Sequence, residues 1–211
     1  MSATLEISQH RPDALARATL LGHRGAIIWL TGFSGAGKST LAAALEKNLF
    51  AARVLPAVLD GDVLRTGLSC GLGFSDADRR ENIRRAAEAA LLLAEAGAVV
   101  VTAFISPFRA DRAHIAKRAR ERDVPFAEVF VNAPLAACEQ RDVKGLYQKA
   151  RAGEITSFTG IDSPYEAPLS PDLELRTDRE SVESSLEKLT ELALRLALNT
   201  EPQSGTTRVH P

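Results

Sequence analysis

Eight consecutive residues, Gly32-Phe33-Ser34-Gly35-Ala36-Gly37-Lys38-Ser39, restrict this chain more than any other feature of it. They match the pattern G-x-x-x-x-G-K-[ST] in full, a pattern that carries weight only between a strand and a helix. Both flanks comply. Ahead of it, Ala26-Ile27-Ile28-Trp29-Leu30 is a short unbroken apolar run, which predicts a strand buried on both faces. Behind it, Leu41, Ala44, Leu45 and Leu49 recur at helical spacing. In that setting the glycines let successive backbone N–H groups turn inward around an anion, and the helix N-terminus adds partial positive charge. Lys38 can then reach the β- and γ-phosphates of a nucleoside triphosphate, and the Ser39 hydroxyl can bind Mg²⁺; the plainer alternative is a glycine-rich strand-to-helix turn with no ligand.

The rest of the chain repeats the strand–helix alternation. Val54 to Leu59 predicts a second strand, closed by Asp60-Gly61-Asp62. Ser75 is placed to cap a helix over 76–96 whose inner stripe is Ile83, Ala87, Ala90, Leu91 and Ala94, with Gly97 as its terminator. Ala98 to Ile105 predicts a third strand stopped by Pro107, 109–123 a helix, and Ala127 to Val131 a fourth strand. A short helix follows over 134–141, then a short last strand at Leu173–Leu175 and an amphipathic helix over 181–198. Residues 1–24 show only weak helical period and are expected to form a peripheral arm, and 199–211 a flexible tail. The fold class is therefore α/β: a single domain over 25–198 with a mostly parallel sheet, helices on both faces and a mobile lid at about 144–171. In such sheets ligands bind beyond the carboxyl ends of the strands, and the unusual residues all fall there.

Asp60 and Asp62 can hold Mg²⁺ or accept a proton from a substrate hydroxyl; the plainer alternative is an Asp-Gly turn with a helix cap. Arg79 and Asn82 share a helix face by i, i+3 spacing, a pairing that suits a phosphate or sulfate oxygen, although an arginine-rich helix is usually a solvated face, here with Glu81 and Glu88 as partners. Ser106 is placed either to touch a ligand or to cap the next helix. The stretch from Arg141 to Gly160 is basic, aperiodic and hinged by glycines, so it reads either as a cover that excludes water from phosphates or as plain disorder.

Several blocks go beyond the phosphate loop. Asp60-Gly61-Asp62, Leu72-Gly73-Phe74-Ser75 with Asp78-Arg79, and Glu81-Asn82-Ile83-Arg84-Arg85 resemble the adenylylsulfate (APS) kinases, P-loop enzymes that phosphorylate the 3′-hydroxyl of APS with MgATP to give PAPS and ADP in sulfate assimilation. So do Phe104-Ile105-Ser106-Pro107, Arg141-Asp142-Val143-Lys144-Gly145-Leu146-Tyr147 and Phe158-Thr159-Gly160-Ile161-Asp162-Ser163, in the right order from about Gly25 to Pro171. The resemblance implies an ATP site from Gly32 through Thr40 (Gly32, Phe33, Ser34, Gly35, Ala36, Gly37, Lys38, Ser39, Thr40) with Arg141 near its adenine. It implies APS contacts from Asp62, Arg65, Phe74, Arg79, Asn82, Ile105, Ser106, Lys144, Leu146 and Phe158, with Phe74 and Phe158 stacking the adenine. Lys38 and Asp62 would be catalytic, Ser39 and Asp60 would hold the metal, and family descriptions assign a phosphoserine to the position of Ser106. Two departures stand out: Val63 where the family generally has Asn, and Asn132 where it usually has Asp.

Composition supports the same class. The 211 residues carry 26 Lys+Arg against 27 Asp+Glu, a balance that argues against binding nucleic acid by bulk charge. The longest apolar stretch, around 86–105, is broken by Glu88 and Glu95, so no membrane span is expected, and no signal-peptide core is seen at the front. Cys70 and Cys138 lack zinc or redox spacing, consistent with a cytoplasmic protein. The family is often dimeric, so the resemblance leaves a homodimer and association with a sulfate adenylyltransferase open as partners, with no residue here deciding either. The rivals are another small-molecule P-loop kinase, with a nucleotide or sugar-acid acceptor, and a nucleotide-dependent switch; the missing N-K-x-D pattern weighs against a GTP form of the latter.

Overall fold

In β1 (Ala26–Thr31) all six residues are buried, and successive side chains enter two different cores. Ala26, Ile28 and Leu30 join one, while Ile27 and Trp29 join the other. This is the period-2 geometry of a strand covered on both faces, and it fixes the layers of the molecule. A computed structural model of the chain describes residues 12–198; the expected tail at 199–211 and residues 1–11 of the expected arm lie outside them.

Five parallel strands form the sheet in the order β2-β3-β1-β4-β5, with β2 at Pro56–Asp60, β3 at Val99–Ala103, β4 at Phe126–Asn132 and β5 at Leu173–Arg176. The first core is closed by α2 (Lys38–Ala51), through Leu41, Leu45 and Leu49, and by α8 (Val182–Leu198), through Leu189, Leu192, Ala193 and Ala197. The second is closed by α4 (Asp76–Glu95), through the expected stripe of Ile83, Ala87, Ala90, Leu91 and Ala94, and by α5 (Arg109–Glu121), through Ile115 and Ala119. Ser75 caps α4, its hydroxyl accepting from the Asp78 N–H at 3.2 Å, and Gly97 follows the helix at φ +109°, a left-handed conformation that a side chain would disfavour.

Three details depart from expectation. The arm contains a helix, α1 (Ala14–Leu21), started by Asp13, whose carboxylate accepts from the Ala16 N–H at 2.7 Å; none of its residues is buried, so its hydrophobic period is faint. Strand β3 stops at Ala103, two residues short of Ile105, because the chain turns through Ser106 at φ +40°. The aperiodic stretch holds α7 (Leu146–Arg151), six residues long and therefore too short to show a period; the Asp142 carboxylate accepts from the Tyr147 and Gln148 N–H groups at 3.1 and 3.0 Å. Short helices α3 (Gly61–Thr66) and α6 (Leu135–Arg141) follow β2 and β4.

Candidate active site

The phosphate loop leaves the carboxyl end of the central strand. Gly32 is needed there because of close approach: a Cβ on it would lie 2.3 Å from the Val131 carbonyl oxygen of β4. Lys38, nearly buried at the first turn of α2, donates to the Gly32 and Phe33 carbonyls at 2.9 and 2.6 Å. Burial holds its ammonium down to about 8. Ser39 donates its hydroxyl to Asp60 Oδ2 at 2.6 Å, and Asp60 Oδ1 accepts from the Asp62 N–H at 2.9 Å. The carboxylate at the end of β2 thus caps α3 through one oxygen, the turn-and-cap reading of Asp60, and faces the loop hydroxyl with the other. Asp62 pairs with Lys144 across the cleft.

Opposite the loop lies a basic wall. Arg79, buried on α4, spends its guanidinium on three partners: the Phe74 carbonyl at 2.9 Å, the Ser157 carbonyl at 2.5 Å and the Thr159 hydroxyl at 3.3 Å. Arg65 donates to the Gly73 carbonyl at 2.8 Å and lies over the exposed ring of Phe74, 4.3 Å from its centroid. Desolvation pulls both guanidinium groups below their usual range, though a guanidinium stays charged at any ordinary pH. Asn82, one turn from Arg79, is buried with its Oδ1 lacking any partner. Buried polar atoms are rarely left so; this one lines the cleft. Arg84 and Arg85, by contrast, both pair with Glu81, whose carboxyl they hold down to about 2. The arginine-rich helix therefore divides into a solvated face and a buried one. Glu88 pairs instead with Arg118 and Arg122 of α5 and the residue after it.

The cleft between these walls is about 1170 Å³, larger than the ~300–1,000 Å³ of a site for one small molecule. The sequence-predicted residues line it from Ser34 through Thr40, at Asp60, Asp62, Arg65, Phe74, Arg79, Asn82, Ile105 and Ser106, and at Arg141, Lys144, Leu146 and Phe158. Gly32 and Phe33 stand behind it, Phe33 packing on Tyr165 with ring centroids 4.8 Å apart. Phe158 is only 6% exposed and meets Tyr147 edge-on. Arg141 grips the far end of the loop, donating to the Gly35 carbonyl at 3.2 Å and the Thr177 carbonyl at 2.6 Å.

Sequence reading passed over two groups. Thr177, Glu180 and Ser181 line the cleft from the turn between β5 and α8, and Ser185 from the first turn of α8; the rule that ligands sit beyond strand ends would have singled out the turn. Tyr147 is buried and donates its hydroxyl to the Ser34 carbonyl at 2.9 Å, which ties α7 to the phosphate loop. Of the two family departures, Val63 is exposed on α3, and Asn132 donates to Glu174 at 2.7 Å. Neither is among the residues that line the cleft.

Residues 24–176 match the model of a protein family described as adenylylsulphate kinase. An adenylyl-sulfate kinase from Yersinia pestis is 59% identical over 158 residues, which cover 75% of this chain and 73% of that protein. Among solved structures, the Mycobacterium tuberculosis APS kinase in complex with AMPPNP and APS superposes with a TM-score of 0.78 at 48% identity, covering 80% of this chain and 97% of that one. A hexameric APS kinase from Thiobacillus denitrificans superposes with a TM-score of 0.62 at 28% identity, over 82% of this chain and 29% of that one.

Proposed function

The chain belongs to the adenylylsulphate kinase family, and from that premise we infer the chemistry of its cleft. It is an ATP-dependent phosphotransferase that converts APS to PAPS, adding a phosphoryl group to the 3′-hydroxyl and releasing ADP, the step that activates sulfate. One observation supports the assignment of roles best: the phosphate loop and the Arg65–Arg79–Asn82 wall face each other across one cleft, bridged by Asp62 and Lys144.

Phosphoryl transfer gains most of its rate from positioning and from charge stabilisation, since the protein has little covalent chemistry to do. In our assignment Lys38 exchanges the Gly32 and Phe33 carbonyls for β- and γ-phosphate oxygens, beside the loop amides. Asp62 accepts the 3′-hydroxyl hydrogen and aims the oxygen at the γ-phosphorus. Arg65, Arg79 and Asn82 hold the phosphosulfate, with Ile105, Ser106, Lys144 and Leu146 beside it, and Phe74 and Phe158 flank the adenine. Arg141 and Thr177 border the ATP base. No enzyme ester is needed, because in-line transfer joins two nucleotides bound at once.

The donor set at Ser39 and Asp60, a hydroxyl and a carboxylate 2.6 Å apart beside a phosphate site, fits Mg²⁺, which favours one or two carboxylates plus substrate phosphates over an all-protein cage. Among the described residues no group of three His, Cys, Asp or Glu side chains forms such a cage. When bound, Mg²⁺ would offset the charge on the β- and γ-phosphates. The segment 144–171 acts as the lid in this reading. Its first half lines the cleft, and its second half is stitched down where the Glu166 N–H donates to the Pro107 carbonyl at 2.9 Å.

In this reading the N-terminal arm, α1 included, serves a homodimer contact. Light scattering on the purified chain, alone and with sulfate adenylyltransferase, tests both that contact and the association with the upstream enzyme. Free thiols at Cys70 and Cys138 support a cytoplasmic location; no helix among the described residues is long and apolar enough to cross a membrane. The deciding experiment for the reaction is product identification by mass spectrometry after incubation with MgATP and APS, with AMP, gluconate and shikimate as competing acceptors. PAPS and ADP from APS alone are expected; phosphorylation of another acceptor in its place would overturn the assignment.

A further inference from the structure

Ser106 is held by more contacts than a helix-leading serine needs. Its φ of +40° is a strained conformation for a residue with a side chain, and such strain persists only where surroundings over-determine it. Here they do. Arg112, 2% exposed, donates to the Ser106 carbonyl at 2.6 Å and is itself anchored by Glu128 at 2.5 Å. Thr31 donates to the neighbouring Ile105 carbonyl at 2.7 Å. The Ser106 hydroxyl oxygen lies 3.1 Å from Nε1 of Trp29 on β1, and Trp29 is fully buried and stacked on Phe104 with ring centroids 5.4 Å apart.

The direction of that last bond carries the argument. An indole N–H can only donate, so Ser106 Oγ accepts, and the hydroxyl hydrogen must point elsewhere. Among the described residues Trp29 is its only hydrogen-bond partner, and Ser106 lines the cleft. A hydroxyl that accepts from an N–H and has no adjacent base lacks what activates a serine nucleophile. It is instead left with its hydrogen free to donate.

We propose that Trp29 is a positioning residue: its indole N–H fixes the Ser106 hydroxyl as a hydrogen-bond donor to an anionic oxygen of the acceptor nucleotide, and so sets acceptor affinity without taking part in a phosphoserine. The inference rests on the assignment of APS to this cleft. Because Trp29 is the chain's only tryptophan, its fluorescence reports the bond directly.

The test uses the full-length protein and its Trp29→Phe, Ser106→Ala and doubly substituted forms. Each single substitution is expected to raise the APS KM roughly tenfold, the size of one hydrogen bond to a charged group, with kcat and the ATP KM within about twofold of wild type. The double variant is expected to lose no more than either single one. APS titrated in the presence of MgADP is expected to change Trp29 emission in the wild type and not in Ser106→Ala. Intact mass after MgATP alone is expected to stay unchanged. Unchanged APS KM in Ser106→Ala, an emission change that survives it, or a phosphate adduct on Ser106 would each overturn the proposal. If Trp29→Phe fails to fold, the Ser106→Ala arms decide alone. Failure of the wild type to make PAPS would instead defeat the underlying assignment.

Discussion

Lys38 shows how far a single side chain's chemistry depends on its burial. Its folded value of about 8 lies below the 10.5 of a free lysine, so between those values the unfolded chain binds more protons than the folded one. Folding stability therefore carries a penalty from this group below pH 8, and the penalty fades as pH rises toward 10.5. Nucleotide binding has the opposite preference, since phosphates favour the ammonium. Affinity for MgADP is expected to be flat up to about pH 8 and to fall above it, approaching tenfold per pH unit, when followed by calorimetry. A Lys38→Arg form, charged throughout, should bind more weakly but show no such slope between pH 7 and 9.5. Asn132 makes the complementary point about a family departure. It donates to Glu174, where an aspartate would face a second carboxylate. Asn132→Asp is accordingly expected to lower stability by about 1 kcal/mol in denaturant unfolding while leaving kinetics with ATP and APS unaltered. The spacing of Arg79 and Asn82 made their shared face readable in the sequence. The partners of Arg79 were not, because Ser157 and Thr159 lie about 80 residues further along and no local pattern links them.

At the scale of elements, α4 carries two duties on one helix. Its apolar stripe closes the second core, and its first two turns carry Arg79 and Asn82 into the cleft. The cap couples them: Ser75 accepts from the Asp78 N–H and donates to Asp78 Oδ2 at 2.6 Å, one residue before Arg79. Ser75→Ala is expected to cost about 1 kcal/mol of stability and, by fraying the first turn, to raise the APS KM more than the ATP KM in steady-state assays. An equal effect on both would separate the cap from the site. The long elements were legible because burial imposes a period on them: the six buried positions of β1, the stripe of α4, the terminator at Gly97. Helices α1 and α7 were not. One buries nothing and the other spans six residues, and the carboxylates that accept from their first N–H groups, those of Asp13 and Asp142, cannot be told in sequence from ordinary loop aspartates.

Across the whole molecule, the two halves of the site belong to different cores. Lys38 and Ser39 open α2, which packs on one face of the sheet, while Arg79 and Asn82 ride on α4, which packs on the other. What aligns them is the sheet between, and in particular β1 and β3, whose carboxyl ends deliver the phosphate loop and the Ser106 turn side by side. That juxtaposition follows from strand order, β1 lying between β3 and β4, which a single sequence does not print. It also makes the two subsites separable by measurement. A ligand present at ~100 times its Kd adds about 2.7 kcal/mol to folding stability, and a chain of this size gains ~2–4 °C of Tm per kcal/mol. Saturating MgADP is therefore expected to raise Tm by ~5–10 °C, and APS added to the MgADP complex to raise it further. Arg79→Ala should keep the first increment and lose most of the second, because its guanidinium serves the wall on α4 and the Ser157 carbonyl. Lys38→Ala should lose most of the first. If instead Arg79→Ala abolished the MgADP increment, the two halves would be one cooperative site, and the division of the cleft between two cores would carry no functional meaning.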